Sequence, residues 1–210
     1  MDAAVIVGCA LLGVFVGPLL LQLVVRVPAM ATVGYVSEEE ATISPVVRER
    51  AVRVLTPVLF ATLLVVSVID LEHYRIPDRI VFPALAVSFG LIVFSTLVEG
   101  FDLVFVRNAV LGSVAYFVLL LVPHVIYPKG MGFGDVKLAL LMGMFLGWMY
   151  SDLFNGIALI MWALVIGSLL GVVAGIAFAL LRGRRAEFPF GPALALGCVL
   201  VILFSDSFVP

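Results

Sequence analysis

Two carboxylates in an oily chain carry the chemistry. Asp135 follows alternating glycines in Gly130-Met131-Gly132-Phe133-Gly134-Asp135-Val136-Lys137. Asp70 closes an apolar run and opens Asp70-Leu71-Glu72-His73-Tyr74-Arg75-Ile76-Pro77-Asp78. Ionisable groups flanked by membrane-like segments are costly and are functional candidates by default. Two of them fit acid/base hydrolysis of a peptide bond. One carboxylate, ionised, draws a proton from water. The other, protonated, polarises the scissile carbonyl and later protonates the nitrogen. Carboxylates about 3 Å apart share one proton, because both cannot ionise comfortably. Such a pair titrates as a unit. Partial desolvation at a membrane edge raises its upper pKa, which suits work nearer neutral pH.

The neighbouring residues admit more than one reading. Gly130, Gly132 and Gly134 are expected to use backbone angles closed to other residues and to let a substrate backbone approach closely. Asp135 is placed near the N-terminus of a helix starting at about residue 136, where the helix dipole favours its anion. The plainer alternative is a glycine-rich turn with Asp135 as an N-cap. Asp70 has its own alternative, a helix-end residue at the interface, with Asp78 and Arg79 as loop polars. Ile76-Pro77-Asp78 reads as a turn, since Pro77 fixes its own φ and restricts Ile76. Asp78 could cap the helix that follows. Residue types alone prefer Asp70 to Asp78 only slightly. His73 reads as a polar loop residue, although a histidine there could titrate near neutrality. His124, inside an apolar run, reads as a helix–helix hydrogen-bond partner. The spacings Gly143–Gly147, Gly167–Gly171, Gly171–Gly175 and Gly191–Gly197 read as close helix packing. There is no HExxH, GxSxG, Walker loop or Asp-Thr/Ser-Gly. The glycine run follows no strand, so it is not a nucleotide fingerprint.

The elements that must position these groups are membrane helices. The chain has 210 residues, of which 64% are hydrophobic and 12% charged, and its mean hydropathy is +1.27. Soluble domains carry about 25% charged residues, so the solvent for this apolar surface must be lipid. A net charge of −2 gives no reason to expect nucleic acid. Cys9 and Cys198 lie in apolar runs without a CxxC, so neither a disulfide framework nor a zinc site is expected. Uncharged runs cover 3–25, 54–69, 80–98, 108–128, 138–151, 153–181 and 188–205. A helical crossing needs ~20 apolar residues, and lipid offers backbone amides no partners, so these runs are helices. The expected fold class is all-α: a polytopic transmembrane helix bundle of about seven spans, six to eight. Its parts are an N-terminal helix with a polar loop, 1–53, and a transmembrane catalytic domain, 54–210. No basic residue precedes the first run, which is read as retained rather than cleaved. Glu38-Glu39-Glu40, in the long loop, reads as a solvated face rather than a metal site.

Basic residues in short loops set orientation. Arg75, Arg79, Lys129, Lys137, Arg182, Arg184 and Arg185 fall in three loops that share one side if seven spans are right. That side is expected to be cytoplasmic. The same count puts Arg26, Arg48, Arg50 and Arg53 outside, which the rule disfavours unless one span near the start is miscounted. Under either option the runs 80–98 and 108–128 make an even number of crossings. Asp70 and Asp135 therefore reach the same face.

Taken together, the two aspartate motifs resemble the type IV prepilin peptidases, the GxGD class of membrane aspartic proteases. A third stretch, Phe188-Pro189-Phe190-Gly191-Pro192-Ala193-Leu194-Ala195-Leu196-Gly197, is also similar. The resemblance covers roughly residues 54–205. It implies Asp70 and Asp135 as the catalytic pair, with Gly130, Gly132, Gly134, Lys137 and Asp78 as substrate-binding or supporting residues. It implies a type IV pilin-like or pseudopilin precursor as substrate, bearing a basic leader, a junction glycine and an apolar helix. Cleavage would occur on the cytoplasmic side of the inner membrane, with no metal or organic cofactor. Residues 17–28 are faintly similar to the family's opening helix. The cysteine tetrad of the long bacterial form is absent, so the chain reads as a short form without the methyltransferase domain. Three rivals stand beside this reading. One is a bifunctional peptidase and N-methyltransferase using S-adenosylmethionine. Another is a small transporter using the aspartates for protons or cations. The last is a catalytically dead assembly scaffold. The sequence leaves the oligomeric state open.

Overall fold

The structure is a computed structural model that describes residues 45–99, 103–128, 131–182 and 189–208. The expected span at 3–25, Glu38–Glu40, Gly130 and the basic loop around Arg184 lie outside the described residues. The described part is helical: α1 (Pro45–His73), α2 (Asp78–Glu99), α3 (Leu103–Ile126), α4 (Phe133–Trp148), α5 (Leu153–Arg182), α6 (Gly191–Leu203) and the single turn α7 (Ser205–Phe208). Among the described residues four stretches are long and apolar enough to cross a membrane: Leu55–His73, Asp78–Leu97, Leu103–Ile126 and Leu153–Leu180. The runs 138–151 and 188–205 yield the shorter helices α4 and α6.

Local chemistry explains the boundaries. Pro45 opens α1, where its missing N–H costs nothing. The carbonyl of Pro77 accepts from the N–H groups of Ile80 (3.0 Å) and Val81 (3.3 Å), starting α2. Asp78 then sits in the first turn, where negative charge is favoured. Asp152 caps α5, its Oδ1 accepting from the Phe154 N–H at 3.1 Å. A proline in the first turn helps to open α6.

Helix α4 is the centre of the bundle. Leu138, Leu141, Met142 and Leu146 are wholly buried, as are Val136 and Ala139 on its other faces. Close approach by α3 makes this possible. A Cβ on Gly112 would lie 2.5 Å from the Gly143 carbonyl oxygen and 2.8 Å from the Gly147 Cα. A Cβ on Gly147 would strike the Asn108 carbonyl oxygen. Across this seam Ser113 Oγ donates to the Leu140 carbonyl at 2.8 Å. Buried Asn108 donates from Nδ2 to the carbonyls of Tyr150 (3.1 Å) and Ser151 (2.6 Å), pinning the α4–α5 turn to α3. Helices α5 and α6 meet in the same way, since a Cβ on Gly197 would lie 2.6 Å from the Gly167 Cα. Gly171 makes room for the Phe190 ring. The outward faces of α2, α3 and α5 carry Phe89, Phe94, Val118, Val165, Leu169 and Val173, all exposed.

Candidate active site

Asp70 lies in the last turn of α1. Tyr74 ends that helix with φ of 54°, its N–H donating to the Asp70 carbonyl at 2.8 Å. Glycine usually makes this left-handed termination. The turn sends Ile76 and Pro77 back across the end of the bundle. Asp135 occupies the first turn of α4. Its backbone N–H donates to the carbonyl of the N-cap residue, Gly132, at 3.2 Å. The Gly132 N–H in turn faces the Asp135 carboxyl. This is the reciprocal contact of a capping box, with Asp135 reaching back from inside the helix. Helix α4 therefore begins at Phe133, ahead of the expected start at about 136, and the cap is Gly132 rather than Asp135.

The two carboxyls converge at Gly191, the first residue of α6. A Cβ built there would stand 2.8 Å from Asp70 Oδ2 and 3.2 Å from Asp135 Oδ1. The two oxygens thus lie no farther apart than the sum of those distances. Both aspartates are 5% exposed. Asp70 Oδ2 is buried with no hydrogen-bond partner among the described residues, while the backbone N–H of Gly191 faces the same carboxyl. Asp135 precedes the apolar run 138–151 and lies outside the four long apolar stretches. Burial pushes its carboxyl up to about 7; the Asp70 carboxylate adds to the rise and the Gly132 N–H opposes it. Two buried carboxyls this near each other are coupled by charge, so one favours its acid form while the other is ionised, the combination that general acid/base work requires.

The glycines act differently from the expectation. Gly132 has φ −66° and ψ 141°, angles open to any residue. Gly134 is helical, and proximity is what excludes a side chain: a Cβ there would lie 2.7 Å from the Ile76 Cβ. Gly191, grouped by its spacing with helix packing, faces the carboxyls instead. Gly197 does pack, against α5. The Ile76 Cδ1 would lie 3.2 Å from a Cβ on Gly191, so Ile76 touches both glycine positions. Neither Ile76 nor the site-facing role of Gly191 is signalled by local pattern.

The outer residues also take up positions. Lys137 Nζ donates to both carboxylate oxygens of Asp78 at 2.7 Å. Asp78 is therefore an ion-pair partner in the first turn of α2, and Pro77 supplies the first helical acceptor. His124 bonds through Nδ1 to the Met131 carbonyl at 2.9 Å and its ring lies 5.3 Å from that of Phe133. Its hydrogen bond goes to the glycine loop rather than to a facing helix, which it meets only through the Phe133 ring. His73 stays at the exposed end of α1, near Glu72. Among the described residues no group of three or more His, Cys, Asp or Glu side chains converges to hold a metal.

Residues 57–180 match the family described as "Type IV leader peptidase family". Among similar proteins, the Prepilin leader peptidase/N-methyltransferase of Aeromonas hydrophila is 32% identical over 173 residues, 79% of this chain and 53% of that protein. Its counterpart in Stutzerimonas stutzeri is 34% identical over 155 residues, covering 69% and 47%. That of Bacillus subtilis (strain 168) is 32% identical over 158 residues, covering 72% and 56%. The chain spans about half the length of the curated relatives it matches. No solved structure matches. With Asp70 and Asp135 meeting inside the matched stretch, and the match covering more than half of the sequence, the chain belongs to the type IV leader peptidase family.

Proposed function

We propose that this chain is a prepilin leader peptidase working by an aspartic mechanism, with Asp70 and Asp135 as its catalytic residues. The observation that carries the reading is the convergence of their carboxyl oxygens at Gly191. The pair works with one carboxyl protonated and the other ionised; with Asp135 taken as the acid, which its raised pKa allows, Asp70 is the base. Asp70 takes a proton from water as the water oxygen bonds to the scissile carbonyl carbon. Asp135 gives its proton to the carbonyl oxygen, leaving a neutral gem-diol. The C–N bond then breaks. The initial base, rather than the initial acid as the residue types first suggested, protonates the departing nitrogen: Asp70 gives up the proton it took from water, while Asp135 recovers one from the diol as the carbonyl re-forms. The dyad ends as it began.

The substrate class follows from the relatives' names and from the fold. A pilin-like or pseudopilin precursor presents a short basic leader, a junction glycine and an apolar helix. The apolar flanks of the bundle can hold that helix laterally in the bilayer. Gly130, Gly132 and Gly134 would border the leader junction, and Lys137 and Asp78 would support the site from outside it. In this reading the whole chain crosses the inner membrane about seven times. Residues 54–210 form the peptidase part, its site faces the cytoplasm, and the chemistry uses no cofactor. A second reading is favoured by the names of the relatives, which include N-methyltransferase. It predicts a methylated first residue on the processed product.

Co-expression with a prepilin precursor tests both. The wild-type chain is expected to shorten the precursor on a gel. Asp70→Ala and Asp135→Ala are each expected to stop this while still inserting in the membrane. Normal trimming by either variant would remove the dyad. Mass spectrometry of the new N-terminus separates simple cleavage from cleavage with methylation.

A further inference from the structure

We propose that Lys137 and Asp78 are positioning residues, whose ion pair ties the segment carrying Asp70 to the segment carrying Asp135 and sets how closely the two carboxyls approach. The inference rests on the peptidase reading and deepens it.

The two segments meet at three successive points. Asp70 faces Asp135 across Gly191, Ile76 lies against Gly134, and Asp78 pairs with Lys137. The first point is repulsive whenever both carboxyls are ionised. The second is a contact of van der Waals kind and supplies no directed attraction. The third is the charged tether, joining residues 59 apart in the chain. Exposed ion pairs generally contribute little, because long side chains lose entropy and water screens the charges. This one is built more firmly. Both Asp78 oxygens accept from Nζ at 2.7 Å. The Lys137 side chain is only 20% exposed, although Asp78 is 53% exposed. Its ammonium lies 5.0 Å from the Phe133 ring centroid and 5.8 Å from that of Phe82. Those rings come one from each helix, and aromatic faces attract a cation. The stem is therefore held between α2 and α4, two residues beyond Asp135. The ammonium is engaged by Asp78, so Lys137 acts through backbone placement and not as a proton carrier.

The test uses the purified full chain in detergent with a prepilin precursor. Lys137→Met and Asp78→Asn are each expected to lower kcat about tenfold, the size of a directly coupled pair. KM should stay within about twofold, since binding is untouched. The double variant should be no worse than either single, and Lys137→Arg should retain most of the rate. Wild-type rates in both singles would overturn the proposal. So would losses that multiply in the double variant, or a loss confined to KM, which would make Lys137 a substrate contact. A second measurement does not need cleavage. Asp70→Cys and Asp135→Cys are combined in a Cys9→Ser, Cys198→Ser chain and treated with a short bis-thiosulfonate crosslinker. Adding Lys137→Met should cut the crosslinked yield several-fold; an unchanged yield overturns the tether. A wild-type chain that leaves the precursor whole sinks the peptidase reading, and the crosslink still judges the tether.

Discussion

At the scale of single residues, the site is defined as much by missing side chains as by the acids. Gly132, Gly134 and Gly191 look alike in sequence, yet a methyl group would meet different things at each. At Gly132 the nearest atom, Asp135 Oδ2, would be 3.5 Å away, an ordinary contact. At Gly134 the methyl would collide with the Ile76 Cβ, and at Gly191 it would crowd both carboxyls. We expect Gly132→Ala to fold as stably as the wild type and to lose the least cleavage of the three. Gly134→Ala should lose stability by about 1–3 kcal/mol, the range for overpacking. Gly191→Ala should lose cleavage with little loss of stability. Rates and thermal unfolding in detergent would check all three, and a dead Gly132→Ala would refute this ordering. Protonation sets a second expectation. Asp135 is raised to about 7, so its acid form survives up to about neutral pH and is lost as pH rises past that value. Cleavage should therefore fall on the alkaline side of about 7, because a doubly ionised pair has no proton for the carbonyl oxygen. A rate that keeps climbing to pH 9 would rule out Asp135 as the acid.

At the scale of elements, the long helices were legible because lipid imposes a length and a composition on a crossing segment. The runs 80–98, 108–128 and 153–181 become α2, α3 and α5 with boundary shifts of a few residues. The start of α4 was less legible. Gly132 and Gly134 look like loop residues, but a helix tolerates glycine in its first turn when a neighbour needs the space. The site was legible only in its acids. Ile76 on Gly134, Asp78 on Lys137 and Gly191 against both carboxyls are approaches between segments distant in the chain, and no local periodicity encodes them. Gly112 is the clearest case on the packing side. Gly143–Gly147 announces a close seam, while its partner on α3 is a lone glycine without a motif. That seam is strict: a Cβ at Gly143 or Gly147 meets backbone, which cannot step aside as a side-chain tip can. Gly147→Ala should therefore destabilise by at least the 1–3 kcal/mol typical of an overpacked core, roughly. Ala substitution at Gly90, where a Cβ meets nothing within 4 Å, should be neutral or mildly stabilising through helix propensity. Unfolding midpoints of the two variants, compared in one detergent, decide this; equal midpoints would mean the seam is looser than described.

At the scale of the whole molecule, the bundle turns its oil outward. Helix α4, which carries Asp135, is enclosed by protein, whereas α2, α3 and α5 leave large apolar side chains uncovered. In water such a surface would drive aggregation; in a bilayer it is the contact that holds the protein in place. The two tryptophans report on the two environments. Trp148, at the end of α4, is 5% exposed, and Trp162, on α5, is 44% exposed. Trp162 is nine residues past the start of α5 at Leu153, about 14 Å along the axis at 1.5 Å per residue. With the core taken to begin at Leu153, that is near the middle of a hydrocarbon layer about 30 Å thick; the Phe208 ring lies at 5.2 Å on one side. Lipids brominated midway along their acyl chains should therefore quench Trp162 strongly and Trp148 weakly. In vesicles of such lipids, Trp148→Phe should be quenched about as fully as the wild type, and Trp162→Phe should lose most of the effect. Equal quenching in the two variants would mean that α5 does not face lipid where Trp162 sits. The enclosure of α4, and with it the shielding of the carboxyl pair from the bilayer, would then need another account.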